Sequence, residues 1–155
     1  MDKATPHPPK PNQITLPQLL AANAGKYGDT RTAIREKAFG IWKKYTWGEY
    51  FSFVTRTAAG FASLNLARGD NLCMIVNNSP EWLFSELGAH ALGATSLNLF
   101  TSSIAEELAF SIGRVRSPLV VVQDQEQVDK LLEVKGKLTQ VRFVVYVDPT
   151  GMTSY

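Results

Sequence analysis

Four short apolar runs, "LCMIV" at 72–76, "ATSLNL" at 94–99, "LVVV" at 119–122 and "RFVVYV" at 142–147, are each separated from the next by one segment of helical length. This alternation is the rhythm of βαβ units, because parallel neighbours need a helical crossover and the crossover is right-handed. The pattern predicts a layered α/β fold with a mostly parallel sheet. The intervening segments carry helix-start chemistry of their own. Ser79 precedes Pro80, Ser103 and Glu106 have the capping-box spacing, and Asp124 with Gln127 forms a weaker version of it. Gly93 offers the left-handed residue that closes the helix before the second run. The units repeat in architecture and not in sequence, so no solenoid is implied.

Upstream, Thr46 and Glu49 form a complete capping box, and Tyr45 and Tyr50 stand where a hydrophobic staple packs, so a helix is expected to begin at Trp47. Tyr50, Val54, Ala58 and Phe61 recur at helical spacing as its buried stripe. Asn65, which tolerates a left-handed turn, ends it. Before it, "TAIREKAFGIWKKYTW" reads as two strands turning at Phe39 and Gly40, with Ala33, Ile34, Ile41 and Trp42 as apolar points. "ITLPQLLAANAGKYG" gives a short helix with Leu16, Leu19 and Leu20 on its apolar side, ending before Gly28. The opening "MDKATPHPPKPNQ" sets four prolines among polar residues, which predicts an extended arm over 1–13 with His7 in solvent. The folded segment is then 14–155.

Composition removes several function classes. At 155 residues the chain is long enough for one domain with a real core. Lys plus Arg is 16 against 14 Asp plus Glu, and this small net charge gives no broad basic field for nucleic acid. Cys73 is the sole cysteine, which excludes an internal disulfide and a paired-cysteine zinc site and suits a reducing compartment; inside "NLCMIV" it reads as a small core residue. With no apolar signal core and no apolar run of spanning length, the expected location is cytoplasmic, without a transmembrane segment. Peripheral membrane contact stays open. Charged residues are 19% of the chain, below the roughly 25% usual for soluble domains. Such a chain is expected to carry a face that another surface covers.

Three loops at the carboxyl ends of the expected strands are candidate ligand sites. "NNSPEW" has no glycine to let amides close around a phosphate, and Pro80 removes one amide outright. "FTSS" sets Thr101, Ser102 and Ser103 before a helix start, but without glycine or lysine it reads as a cap. "QDQEQVD" offers Asp124, Glu126 and Asp129 as a conceivable magnesium set, although carboxylates are favoured in a helix's first turn in any case. His90, in "LGAHALGA", has no Ser, Cys or carboxylate placed by the sequence to make it a base, so packing is expected. Trp42, Trp47 and Trp82 read as core or interface residues, and Arg68-Gly69-Asp70 as a turn before a strand. Composition and spacing therefore assign no catalytic, cofactor-binding or metal-binding residue.

A resemblance adds to this. "LPQLLAANAGKYGD", "KKYTWGEY", "LARGDNLCMIVNNSPEW", "ELGAHALGATSLNLF" and "DQEQVDKLLEVKGKL", in this order, resemble the beginning of the AMP-forming acyl-CoA synthetases of the adenylate-forming superfamily, most of all the bacterial long-chain fatty-acid CoA ligases. "YTWGEY" is similar to the first core motif of that family and "LGATSLNLF" to its second. Asn65 stands where relatives usually have glycine, and "TSLNLF" lacks the proline common in the second motif. The resemblance implies the N-terminal portion of an adenylate-forming fold. It also implies a parent enzyme that uses ATP and Mg2+ to convert a fatty acid to an acyl-adenylate, releases pyrophosphate, and transfers the acyl group to CoA. The family's phosphate loop, its metal-binding segment, its ribose aspartate and its mobile lysine have no counterpart here, and "DPTGMTSY", with Thr150 and Gly151, does not match them. The expectation is a segment truncated before the phosphate loop, partnered by the remainder of the adenylating domain and inactive alone. The alternative is a free-standing, non-catalytic α/β binding or interaction module derived from the same family.

Overall fold

The computed structural model describes residues 14–154; the proline-rich arm and His7 lie outside the described residues. Helix α1 (Leu16–Tyr27) starts from Thr15, whose side chain and that of Gln18 exchange hydrogen bonds with each other's backbone amides. Strands β1 (Thr32–Ala38) and β2 (Ile41–Thr46) form an antiparallel hairpin. Its turn has φ of 50° at Phe39 and 82° at Gly40, the paired left-handed geometry that two-residue hairpin loops adopt to match strand twist. Helix α2 (Trp47–Ser63) begins at the expected capping box: Thr46 Oγ1 accepts from the Glu49 amide at 3.1 Å, and Glu49 Oε2 accepts from the Thr46 amide at 2.8 Å. The four stripe residues, Tyr50, Val54, Ala58 and Phe61, are its buried ones, and Asn65 follows at φ 61°.

The βαβ rhythm is realised as β3 (Asn71–Ile75), α3 (Pro80–Ala91), β4 (Thr95–Asn98), α4 (Ala105–Val115), β5 (Leu119–Val122), α5 (Gln125–Glu133) and β6 (Phe143–Tyr146). The four strands are parallel in the order β4-β3-β5-β6, so α3 leads to one side of β3 and α4 crosses back over it. Side chains alternate between two cores. Leu72, Met74, Leu119 and Val121 face Phe61 of α2 and Ala89 of α3. Cys73, Ile75, Val120 and Val122 face Leu108 and Ile112 of α4 and Val128 and Leu131 of α5. A third cluster, Leu20, Tyr45, Tyr50, Val54, Phe84 and Leu87, ties α1 and the base of the hairpin to α2 and α3, with Phe53 and Phe84 stacked at 4.8 Å between centroids. Helices α2 and α3 meet at Gly88, where an added Cβ would lie 3.1 Å from Thr57 Cγ2 and 3.2 Å from the Ala58 nitrogen.

Ser117 fastens the sheet just before β5. It is fully buried, accepts from the Cys73 amide at 3.1 Å, and its Oγ lies 2.8 Å from the Asn71 carbonyl and 2.7 Å from that of Leu119. The single hydroxyl proton is shared between those two acceptors.

Three expectations are corrected. Ser103 and Glu106 do not form a capping box: α4 starts one residue later, Ile104 is its N-cap, and no side chain bonds there. Glu106 instead pairs with Lys137, a partner far along the chain, and this ion pair competes with local capping. Ser79 is the N-cap of α3 by position, yet it makes no cap bond, and its Oγ is buried without a hydrogen-bond partner. Of the core and interface roles expected for Trp42, the core one fails: it is 58% exposed on the outer half of the hairpin.

Candidate functional site

The carboxyl ends of β3 and β4 open on a recess of about 470 Å3 lined by Val76, Asn77, Asn78, Trp82, Asn98, Leu99, Phe100 and Thr101. It joins two of the three loops singled out in the sequence, "NNSPEW" and "FTSS", at the end of the sheet where open α/β folds bind ligands. A second recess of about 240 Å3, between α5 and β6, is lined mostly by apolar groups such as Val128, Leu131, Leu138 and Phe143. The first is the better candidate, since it has both position and convergent polar groups.

The loops hold one another. Thr101 Oγ1 donates to Asn77 Oδ1 at 3.3 Å, and the Asn77 amide donates to Gln123 Oε1 at 3.0 Å. The Gln123 amide in turn donates to the Ile75 carbonyl at 2.8 Å. Gln123 thus bridges the two central strands where the strand order changes direction, the crevice such sheets usually leave for a ligand. Lys130 Nζ reaches from α5 to the Thr101 carbonyl at 2.7 Å, and it also pairs with Glu126 at 2.8 Å.

From Trp82 and Asn98 in one wall a continuous polar chain leads away from the recess. Trp82 Nε1 donates to Asn98 Oδ1 at 3.1 Å, Asn98 Nδ2 donates to Glu86 Oε1 at 3.3 Å, and Ser96 Oγ donates to the same Glu86 oxygen at 3.1 Å. His90 Nε2 lies 3.1 Å from Ser96 Oγ. Trp82, Glu86 and His90 share one face of α3 because they are four residues apart, and β4 presents Ser96 and Asn98 to that face. The chain looks like a Ser-His-carboxylate set but runs the wrong way for nucleophile activation. Ser96 has one proton and gives it to Glu86, so the His90 nitrogen must donate to Ser96. A general base would have to accept from it. The network positions β4 against α3. Glu86 also bears on Tyr50, whose phenol is pushed up to about 12 chiefly by burial and then by the Glu86 charge.

The remaining candidates are spent elsewhere. Asp124 Oδ1 accepts from the Gln127 amide at 3.3 Å as the cap of α5. The Glu126 carboxyl is held below its ordinary range by the hydrogen bond and charge of Lys130. Among the described residues no three His, Cys, Asp or Glu side chains converge as a metal site, so Asp124, Glu126 and Asp129 do not form the magnesium set. Cys73 is buried, and burial pushes its thiol up to about 11, with the Ser117 hydrogen bond opposing. Such a thiol is a poor nucleophile near neutral pH. Trp47 and Trp82 are partly buried, Trp47 against the hairpin cluster and Trp82 against the α2/α3 core. Glu86, Ser96, Asn98, Gln123 and Lys130 were not singled out in the sequence. The four-residue spacing of Trp82, Glu86 and His90 was the one signal available.

The recess can therefore accept a flat or apolar group with an amide-like edge. It has no lysine or arginine in its lining and no glycine to bring amides around a phosphate. Among the described residues, no helix is long and apolar enough to cross a membrane.

The family model described as "AMP-binding enzyme" matches residues 20–155. The chain is 30% identical over 131 residues to the long-chain-fatty-acid–CoA ligase ACSBG1 of Bos taurus, covering 84% of this chain and 18% of that protein. It is 27% identical over 132 residues to the long-chain-fatty-acid–CoA ligase ACSBG2 of Xenopus laevis, covering 85% of this chain and 18% of that one. The chain thus spans less than a fifth of the length of these relatives. Among solved structures, the N-terminal domain of FACL13 from Mycobacterium tuberculosis superposes with a TM-score of 0.80 at 19% identity, over 90% of this chain and 36% of that one. At that identity the likeness shows the fold.

Proposed function

From the premise that this chain belongs to the AMP-binding enzyme family, we propose that residues 14–155 are the N-terminal subdomain segment of a long-chain fatty-acid CoA ligase. The whole enzyme joins a fatty acid to CoA in two steps. A carboxylate oxygen attacks the α-phosphorus of ATP and pyrophosphate leaves, giving the acyl-adenylate; the CoA sulfur then attacks the acyl carbon and AMP leaves. A carboxylate is a poor electrophile until this exchange gives it a good leaving group; Mg2+ held by the rest of the enzyme would offset the phosphate charge. The buried, unpaired Cys73 suits work in the cytoplasm.

The observation that carries the reading is the family match over residues 20–155, together with relatives that share one described activity. The segment's role is then framework. Its sheet fixes the recess at 76–101, while the groups that grip ATP belong to the rest of the adenylating domain. This division fits a recess without cations or glycine.

The test is pyrophosphate release from ATP with palmitate and CoA. The 155-residue chain alone is expected to give none, and to show no saturable ATP binding by calorimetry. Extending the coding sequence past Tyr155 is expected to reveal an in-frame Ser/Thr/Gly-rich loop ending in Pro-Lys, and the extended protein is expected to release pyrophosphate with long-chain fatty acids. An extended protein that adenylates only other acids would overturn the substrate class. Turnover by the 155-residue chain would overturn the framework role.

A further inference from the structure

The polar chain behind the recess has a direction, and two of its members set it. The Trp82 indole is a donor only, so the Asn98 atom 3.1 Å from its Nε1 has to be the amide oxygen. That turns Asn98 Nδ2 towards Glu86 Oε1, at 3.3 Å. An ionised carboxylate accepts only, so the Ser96 hydroxyl, 3.1 Å from the same oxygen, spends its one proton there. His90 Nε2, 3.1 Å from Ser96 Oγ, is left to donate. Hydrogen bonds therefore run inward from both ends to one oxygen of Glu86. Trp82 and Asn98 line the recess, whereas Glu86 stands behind them.

We infer that Glu86 is a positioning residue for the recess: its carboxylate, acting through Asn98, fixes how the Asn98 amide and the Trp82 ring stand in the wall. An asparagine amide has donors at one end and an acceptor at the other, and water satisfies either orientation of an exposed one. Here Trp82 on one side and Glu86 on the other leave a single orientation. The amide keeps one N–H and one oxygen lone pair unspent, and these are what Asn98 can offer an occupant. All five groups lie on α3 and β4, so the wiring is complete within this chain whatever the rest of the domain lays over the recess. The role rests on the framework reading of the recess, and it differs from merely holding β4 to α3. Ser96 shares the holding task through the same Glu86 oxygen, but it does not line the recess.

The test is NMR spectroscopy of the nitrogen-labelled 155-residue chain. At about pH 8.5, well above the ordinary histidine range, His90 is expected as the tautomer with its proton on Nε2. A proton on Nδ1 instead would reverse the chain and overturn the inference. Hydrogen exchange reads the recess end. Glu86→Leu is expected to speed exchange of the Asn98 side-chain amide about tenfold and of the Trp82 indole N–H about threefold, because the first loses a charged acceptor and the second is held through it. Glu86→Gln keeps an oxygen where both donors point, and it is expected to stay within about twofold of wild type at both sites. Ser96→Ala loosens β4 from α3 without touching the recess lining, and both sites are expected to exchange as in wild type. Equal exchange in wild type and Glu86→Leu, no recovery in Glu86→Gln, or an effect of Ser96→Ala as large as that of Glu86→Leu would each overturn the positioning role. Far-UV circular dichroism checks that each variant folds, and the tautomer, which needs no variant, keeps the inference refutable if Glu86→Leu does not. Pyrophosphate release tests the ligase reading separately, so either can fail alone.

Discussion

Strand β5 and the β1–β2 hairpin are both regular β-structure, yet they are stabilised by different things. In β5 all four residues, Leu119 to Val122, are buried, because helices cover both faces and strands flank both edges. In the hairpin the outer positions 37–44 are all exposed, and only its root, at Tyr45 with Ala33 and Ile34, enters a core. The first is held by burial, at roughly 25 cal/mol per Å2 of apolar surface. The second is held by its turn, its ladder and one aromatic anchor. Sequence composition at the sheet is thus dictated by packing, whereas at the outer hairpin packing within this chain sets no such demand.

The sharpest break in this contrast comes from equal truncations in the two regions. Met74→Ala, at a fully buried position in β3, is expected to cost about 2–5 kcal/mol. Ile41→Ala in the hairpin is expected to stay within about 0.5 kcal/mol. Urea unfolding followed by tryptophan fluorescence measures both, and similar losses would erase the distinction.

Ser117→Ala tests whether the sheet depends on polar satisfaction as well as burial. It leaves the buried Cys73 amide without its acceptor, and an expected loss of about 1–3 kcal/mol follows. Cys73 gives a pH version of the same test. Its folded thiol stands at about 11 against an ordinary 9.0. Between those values the unfolded chain has released a proton that the folded chain keeps, so stability falls as pH rises from about 9 towards 11 and is unaffected below. The slope is at most about 1.4 kcal/mol per pH unit. Denaturation midpoints across that range, compared with Cys73→Ala, report it.

Smaller effects sharpen the junction and the tip. Thr46 ends the hairpin and caps α2, and its Oγ1 also donates to Asp29 Oδ1 at 2.7 Å. Thr46→Ala is expected to cost about 1 kcal/mol, seen as a lower urea midpoint. Phe39→Asn is expected to raise stability slightly, by about 0.5 kcal/mol, because Asn accepts a positive φ more readily. A loss there would mean that the exposed ring contributes to the fold.

The sheet was legible in the sequence for the reason that makes it stable. Strands covered on both faces must be apolar throughout, and "LCMIV" and "LVVV" stand out from helices that alternate by turns. The Thr46 and Glu49 box was legible because both partners are local. Where a competing partner was remote, local reading failed: Glu106 turned to Lys137, and the helix start moved past Ser103. Trp42 shows a second limit. An apolar residue in a two-stranded ribbon does not reveal whether its face is covered, and here it is not. The recess was half legible. Its two loops were identified from their position after strands, but the chain from Trp82 to His90 depends on β4 lying against α3, a juxtaposition no spacing announces.

The strand order has a consequence in time. Strand β3 is made before either of its neighbours, and its second neighbour, β5, is not complete until Val122. At a synthesis rate of about 5–20 residues per second, that gap leaves the most apolar strand edge of the sheet unpaired for on the order of several seconds. Helices α2 and α3, packed through Gly88, can meanwhile cover one face of β3, but the other stays open until α4 follows, just ahead of β5. A chaperone-sized window is therefore written into the order of the strands, and it closes when β5 slots in beside β3 and the Ser117 hydroxyl takes up the Cys73 amide.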